Sequence, residues 1–424
     1  MTGKLAARAT IGTLLVVWGL YGTCAEAVGE SSARASGMGL AYTAVSRNLD
    51  AVGWNPANLG LSSDRKVSIA LFSAGAGVGN TAYSLGDYET YNGMAFWDEA
   101  TKREILSKIP AEGLAFNTAA EARALGISYG RTAFRINLFG SARGRLPKDP
   151  VELMLFGNQA DRTYRIDSTD GKGQAAWNLS LSRAFALSIE GVETAAVGVT
   201  VRYLRGIGYF EVQNGRGTLV THDRGIRLDG SSLARRAEGG NGLSVDLGFG
   251  AELDGKWTVG VALIHLGRIW WNKDAREHRG SMQTDSLKVE DLADVEEFDD
   301  LFNTVDDERI LSSFGGGLPA TFRLGVARRG SRWLLAADWE QGLSNAPGST
   351  TRPRIALGSE YLVTGWLPVR AGISLGGRTK TTFSAGLGLG GKRIVFDLAI
   401  RVRKGVVPRS ASGVGVAAEL KLGF

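Results

Sequence analysis

Residues Gly413-Val414-Gly415-Val416-Ala417-Ala418-Glu419-Leu420-Lys421-Leu422-Gly423-Phe424 decide how the chain is read. Val414, Val416, Ala418, Leu420, Leu422 and Phe424 fall on one face of an extended strand; Gly413, Gly415, Ala417, Glu419, Lys421 and Gly423 fall on the other. A period of two without a break is strand geometry. A soluble sheet carries the same alternation, but a membrane barrel needs tilted spans of about 9 to 11 residues, and a span ending on an aromatic residue suits its closing strand. Just upstream, Ile394, Phe396, Leu398, Ile400 and Val402 oppose Asp397, Arg401 and Arg403. In a sandwich that charged face is solvated; in a barrel it faces the lumen.

Working back along the chain, the pattern predicts strands over 66–74, 124–130, 132–139, 178–187, 194–204, 242–253, 256–266, 319–328, 332–340, 354–362, 367–375, 381–390, 393–403 and 412–424. Short turns such as 130–131, 254–255 and 391–392 alternate with long connections, chiefly 75–123, 140–177, 205–241 and 267–318. Short periplasmic turns and long external loops mark an outer-membrane barrel. The expectation is an all-β chain: one transmembrane antiparallel β-barrel of about fourteen strands over 66–424. It becomes sixteen if the strand-like piece 207–221, assigned here to an external loop, spans the membrane. The same registers aim Arg323, Asp338, Glu340, Arg370, Asp397 and Arg401 into the lumen, along with Arg202, Asp246, Arg354, Glu360, Glu419 and Lys421. Charges of both signs on one face read as an ionic ladder that stiffens the wall, ahead of an aqueous path.

Composition agrees. Glycine supplies 59 of 424 residues, about twice the usual ~7%, and most of it lies inside the alternating segments, as a curved sheet requires. Lys4 and Arg8, the apolar run 11–20 and Ala25-Glu26-Ala27 predict a signal peptide over 1–27 that is cleaved on export. The only cysteine, Cys24, lies in that leader, so the mature chain is expected to have no disulfide and no cysteine metal site. Removing the leader changes the formal charge from +6 to +5, with both signs interspersed, which argues against a nucleic-acid partner. No other run approaches the roughly 18 apolar residues of a helical span, so an exported chain enters a membrane only as a barrel.

Residues 28–65 do not read as a span. They hold Ser32-Ala33-Arg34-Ala35-Ser36-Gly37-Met38-Gly39-Leu40-Ala41 and Asp50-Ala51-Val52-Gly53-Trp54-Asn55-Pro56-Ala57-Asn58-Leu59. Here the sequence resembles the FadL type of outer-membrane hydrophobe transporter and the related PorV barrels, in which a small-residue stretch and an Asn-Pro-Ala motif precede the barrel. Leu266-Gly267-Arg268-Ile269-Trp270-Trp271-Asn272 and Leu318-Pro319-Ala320 resemble an uncharacterised branch of these barrels more closely. The resemblance implies a lumenal plug, or hatch, over 28–65 with its motif at Asn55, Pro56 and Ala57. It also implies passage of small hydrophobic molecules, with contacts at Met38 and Trp54 in the plug and Phe96 and Trp97 in a loop. The competing implication, drawn from PorV, is a structural barrel that binds secretion-machinery proteins through its external loops. Outer-membrane lipid is the expected surrounding of a Gram-negative-type bacterium. Physically, a barrel of this width leaks unless something fills it.

Other features read as structural. Residues 98–109 form a short helix with a capping box at Thr101 and Glu104. Residues 285–308 hold eleven acidic residues without the spacing and turn glycine of a calcium loop. Trp270 and Trp271 read as an interfacial belt. Gly126-Ile127-Ser128-Tyr129-Gly130 fits a nucleophile elbow, yet that motif needs a following helix, and strands flank it here. The chain is therefore read as no enzyme, with no cofactor and no metal.

Overall fold

A computed structural model describes residues 32–223, 225–287, 303–377, 380–391 and 393–424. The leader over 1–27, residues 28–31 and most of the acidic stretch 285–308 lie outside them. No described helix is long and apolar enough to cross a membrane, so any crossing is made by strands.

Nineteen described strands form one antiparallel sheet. They are β1 Val67–Asn80, β2 Leu114–Tyr129, β3 Thr132–Leu146, β4 Thr163–Arg165, β5 Thr169–Leu187, β6 Thr194–His222, β7 Gly225–Ala237, β8 Gly239–Leu253, β9 Trp257–Lys273, β10 Arg276–Leu287, β11 Asn303–Ile310, β12 Phe314–Gly317, β13 Thr321–Arg329, β14 Trp333–Gly342, β15 Arg354–Thr364, β16 Leu367–Gly376, β17 Lys380–Gly390, β18 Ile394–Arg403 and β19 Gly413–Gly423. The pairings run from β1 through β2, β3, β5, β6, β8 and β9 to β13, then strand by strand to β19. There Leu422 faces Ile69 and the ring closes. Closure leaves no edge to satisfy in lipid.

Sixteen of the strands are nine residues or longer, rather than about fourteen. The two additional ones, β7 and β10, prolong β8 and β9 past breaks of one and two residues and pair with each other. Residues 207–221 are not a loop; they are the upper half of the 29-residue β6. At about 3.4 Å per residue β6 is roughly 95 Å long, several times what a membrane span needs. The outer half of β6, with β7, β10 and β11, therefore stands as a sheet beyond the hydrocarbon layer. The expected loops 75–123 and 140–177 likewise begin and end in strand, because β1, β2, β3 and β5 all run past their expected ends.

Polarity is inverted relative to a soluble protein. Val416 is 54% exposed and Leu335 52%, while Glu419 is 0% and Arg202 1% exposed. Along β19 the apolar set points outward and Glu419 and Lys421 point inward. Only a surrounding apolar solvent makes that arrangement favourable, since each outward Leu or Val would otherwise give up a hydrophobic gain of about 1.5–3 kcal/mol.

Ser32–Leu61 lies inside the ring: it contacts strands all the way round, from β1–β3 through β5, β6, β8 and β9 to β13–β19, which a segment outside the wall could not do. Its first helix, α1 (Ala33–Gly37), is capped by Ser32, whose Oγ accepts from Ala35 N. Wall glycines let it approach. A Cβ on Gly198 would stand 2.2 Å from the Pro56 carbonyl carbon, and one on Gly358 2.4 Å from the Met38 carbonyl oxygen. Gly198→Val or Gly358→Val should therefore displace this segment while leaving the wall ladder intact. The expected result is a heat-modifiable barrel that trypsin now cuts at Arg34 or Arg47, sites protected in the parent protein.

Candidate functional site

The inner segment is fastened to the wall by charge. Arg34 lies 2.7 Å from Glu360, which also holds Arg370 at 2.7 Å, and Arg370 reaches Asp397 at 2.6 Å. Arg47 lies 2.9 Å from Glu252 and donates to the carbonyls of Ala44 and Ser46. Asp50 lies 2.7 Å from Lys421 and accepts from Tyr42 Oη at 3.0 Å, while Arg123 binds Glu419 at 2.6 Å. Asp338 Oδ2 accepts the backbone N–H groups of Tyr42 and Thr43, at 2.9 and 2.7 Å. Arg323 pairs with Glu340 at 2.7 Å, donates to Gly53 O and covers the Trp54 ring at 4.4 Å. Arg401 is buried between Ser384 on β17 and Gly415 on β19.

The Asn-Pro-Ala motif opens a 3-10 turn, Pro56–Gly60. Asn55 Oδ1 accepts from Ala57 N at 3.2 Å, and Nδ2 donates to Phe249 O of β8 at 2.9 Å. One side chain thus caps the turn and ties it to the wall, with Pro56 preset for the first helical position.

The four expected ligand contacts do not meet. Met38 and Trp54 are buried in one apolar cluster, with Trp54 edge-on to Tyr42 at 5.4 Å. Phe96 is 79% exposed, and Trp97 donates to Tyr91 O beside the outer helices. Trp271 is no belt residue: it is fully buried against Tyr209, while Trp270 alone faces outward. Ser128 lies inside β2, and the chain then turns at Gly130 into β3 without a helix. No cluster of three or more potential metal ligands occurs among the described residues.

A narrow cavity adjoins Trp54, lined by Arg123, Arg135, Arg202, His265 and Ser141. Its volume of about 40 Å³ holds a few waters but is far below the ~150 Å³ in which benzene binds. Arg202 pairs with Asp246, and Arg135 donates to Val52 O. Arg123 and Arg135 went unread because expected strand 124–130 starts one residue late for the first, while the second alternates with outward Phe134 and Ile136, a signal that was present. Arg34, Arg47 and Asp50 lie in aperiodic sequence that gives no register.

Outside, α2 (Leu85–Asn92), α3 (Glu99–Ser107) and α4 (Lys148–Phe156) enclose a small core of Tyr83, Tyr91, Ile105, Ile109 and Leu114. Asp98, not Thr101, caps α3: its carboxylate accepts from Thr101 N at 2.8 Å. In α2, Ser84 and Asp87 form the capping box, and Asp87 also binds Lys108 at 2.5 Å.

These features define a transmembrane β-barrel with the fold of FadL-type channels. The TodX deltaS2S3 mutant monoaromatic hydrocarbon channel aligns over 94% of this chain and 99% of its own, at 14% identity and a TM-score of 0.54. The CymD monoaromatic hydrocarbon channel aligns over 94% and 98%, at 14% and 0.52. A Pseudomonas aeruginosa FadL homologue aligns over 95% and 100%, at 14% and 0.52. The chain belongs to the family of unknown function DUF5723, whose model matches residues 56–239 and 224–399. No curated protein matches the sequence.

Asp338→Ala strands two buried backbone N–H groups, and should cost about 3 kcal/mol of unfolding free energy; Asp338→Asn, which keeps an acceptor, should recover part of it in urea titration. A second expectation concerns pH. Burial pushes the Asp87 carboxyl up, but hydrogen bonds from Lys108 and Ser84 outweigh it and hold it below the usual carboxylate range. Its stabilisation is complete above that range and is lost as pH falls through the lowered value. Hydrogen-exchange protection over 83–109, taken relative to the intrinsic rate at each pH, should stay constant from pH 7 to pH 5 and fall only in stronger acid, a response that Asp87→Asn abolishes.

Proposed function

We propose that this protein is an outer-membrane barrel that passes small hydrophobic molecules, with residues 28–65 acting as a plug. The observation that carries the reading is a meeting of two surfaces at one wall residue. Ser141 on β3 lines the inner cavity beside Trp54, and it also borders a shallow apolar depression on the outer side of the wall. Ala120, Gly140, Ala175 and Gly208 lie side by side across β2, β3, β5 and β6, and Ile207 and Phe210 flank them. The wall is thinnest in side chain there, which supports a lateral path between lumen and lipid. The cavity is too small for cargo in this conformation, so passage requires the plug to shift. Asn55 is the natural control point, because it holds both the turn and the wall.

The likeness to channels named for monoaromatic hydrocarbons supports this class of cargo. Uptake of radiolabelled toluene by cells making the full-length protein should exceed that of control cells. Asn55→Ala should change the rate severalfold. Gly140→Phe, where a Cβ meets nothing nearer than 3.8 Å, should lower it without affecting folding. Unchanged uptake in both folded variants would count against a plug-gated lateral path.

A second reading, a barrel that presents its outer loops to a partner protein, is supported by the tall sheet. Lys172, Glu211, Arg235, Glu277 and Arg309 lie in register across β5, β6, β7, β10 and β11, with contacts of 2.9 Å for Lys172–Glu211 and 2.8 Å for Arg235–Glu277. That alternating row holds the sheet upright well beyond what transport of a hydrocarbon requires. A stoichiometric protein partner with no uptake activity would favour it.

A further inference from the structure

The short-turn end of the barrel carries a basic and aromatic patch that the transport reading does not use. Arg328-Arg329-Gly330-Ser331-Arg332-Trp333 joins β13 to β14 with three arginines and no acid. Arg328 follows Leu324 and Val326 on the outward face of β13, at the level where the wall leaves the hydrocarbon. Its guanidinium lies between two indoles, with Cζ 5.3 Å from the Trp257 ring centroid and 5.6 Å from that of Trp333. Both tryptophans are outward and partly exposed, and Tyr361, in register with Trp333, extends the aromatic surface. The turn is stapled to its neighbours, since Arg329 N donates to Lys256 O and Leu362 N to Arg332 O, each at 2.8 Å. Lys256 therefore sits beside the arginine turn.

What separates the outward cations of this patch from the interior, and from Arg329, which lies within the field of Glu360, Asp64 and Glu252, is that no acid pairs with them. Arg323, on the inward face of the same strand, is paired with Glu340. Among the described residues Arg328, Lys256 and Arg332 make no ion pair. Of the acids in the adjoining turns, Asp254 lies two residues before Lys256, and Glu193 accepts from Gly255 N at 2.6 Å. A cation on a lipid-facing wall is tolerated at the interface rather than at the midplane. Tryptophan settles at headgroup level, and an arginine stacked between rings presents its planar donors ready for a phosphate.

We propose that Arg328, clasped by Trp257 and Trp333 and flanked by Lys256 and Arg332, binds the phosphate of an anionic phospholipid in the leaflet on the short-turn side. This rests on the reading of the chain as a membrane barrel, with its short turns toward the periplasm. The phosphate takes the guanidinium and ammonium donors, and the acyl chains lie along the outward Leu and Val residues of β13 and β14.

The test is native mass spectrometry of the full-length folded protein, titrated with phosphatidylglycerol or with phosphatidylcholine of the same chain length. Phosphatidylglycerol should bind at lower concentration, and added salt should narrow the difference. Arg328→Gln with Arg332→Gln should weaken its binding about fivefold per arginine, while Arg328→Lys, which keeps the charge but not the planar stack, should fall between. Arg332→Gln alone, in the exposed turn, supplies the single step if the double variant misfolds. Equal binding of the two lipids, or variants that titrate like the parent, would overturn the site. Insertion into phosphatidylcholine vesicles, scored by heat-modifiability and protease protection, reads the membrane assignment separately. Failure of insertion sinks that reading; insertion without lipid preference sinks only this one.

Discussion

Hydrocarbon offers no hydrogen bonds, and the rest of this structure follows from that. A strand wall in lipid must pair every backbone N–H and C=O within itself, and a ring is the only sheet with no unpaired edge. The register of β19 against β1, with Leu422 opposite Ile69 and Lys421 opposite Ala70, is therefore the contact on which everything else depends. It also fixes polarity. With a period of two, a one-residue slip would turn Glu419 and Lys421 out into lipid and Leu420 and Leu422 in among ions.

Closure creates the second problem, a wide interior, and the inner segment answers it with charge and close approach. Arg34, Arg47, Asp50 and Asn55 each reach a different part of the wall. Buried ion pairs are weak sources of net stability, because the desolvation of both partners offsets their attraction. Breaking one is costly all the same, so such pairs specify a single placement of the segment rather than merely hold it. Wall glycines supply the room, which is the physical use of the high glycine content.

Beyond the membrane, water again satisfies the backbone, and regularity is no longer enforced. The chain there builds a capped helical cluster around Tyr83 and Tyr91 on one side and the tall sheet of β6, β7, β10 and β11 on the other. At the opposite rim the connections are tight, and around the β13–β14 turn the exposed surface is aromatic and basic, as suits a surface that meets phospholipid headgroups.

The alternation of Val416, Ala418 and Leu420 against Ala417, Glu419 and Lys421 was legible in the sequence because strand periodicity is local, and in a wall bathed by lipid one face must be apolar throughout. The barrel followed from that pattern together with the resemblance to FadL-type barrels carried by residues 32–59. Strand length did not. A strand that leaves the membrane no longer needs an apolar face, so the outer halves of β6, β7 and β10 read as loop. Nor did the partners of Arg34, Arg47 and Asp50, since Glu360, Glu252 and Lys421 lie between roughly 200 and 370 residues away in sequence. Trp271 differs in kind: the period of two already sets it on the face opposite Trp270, and the closed ring decides that its face is the inner one.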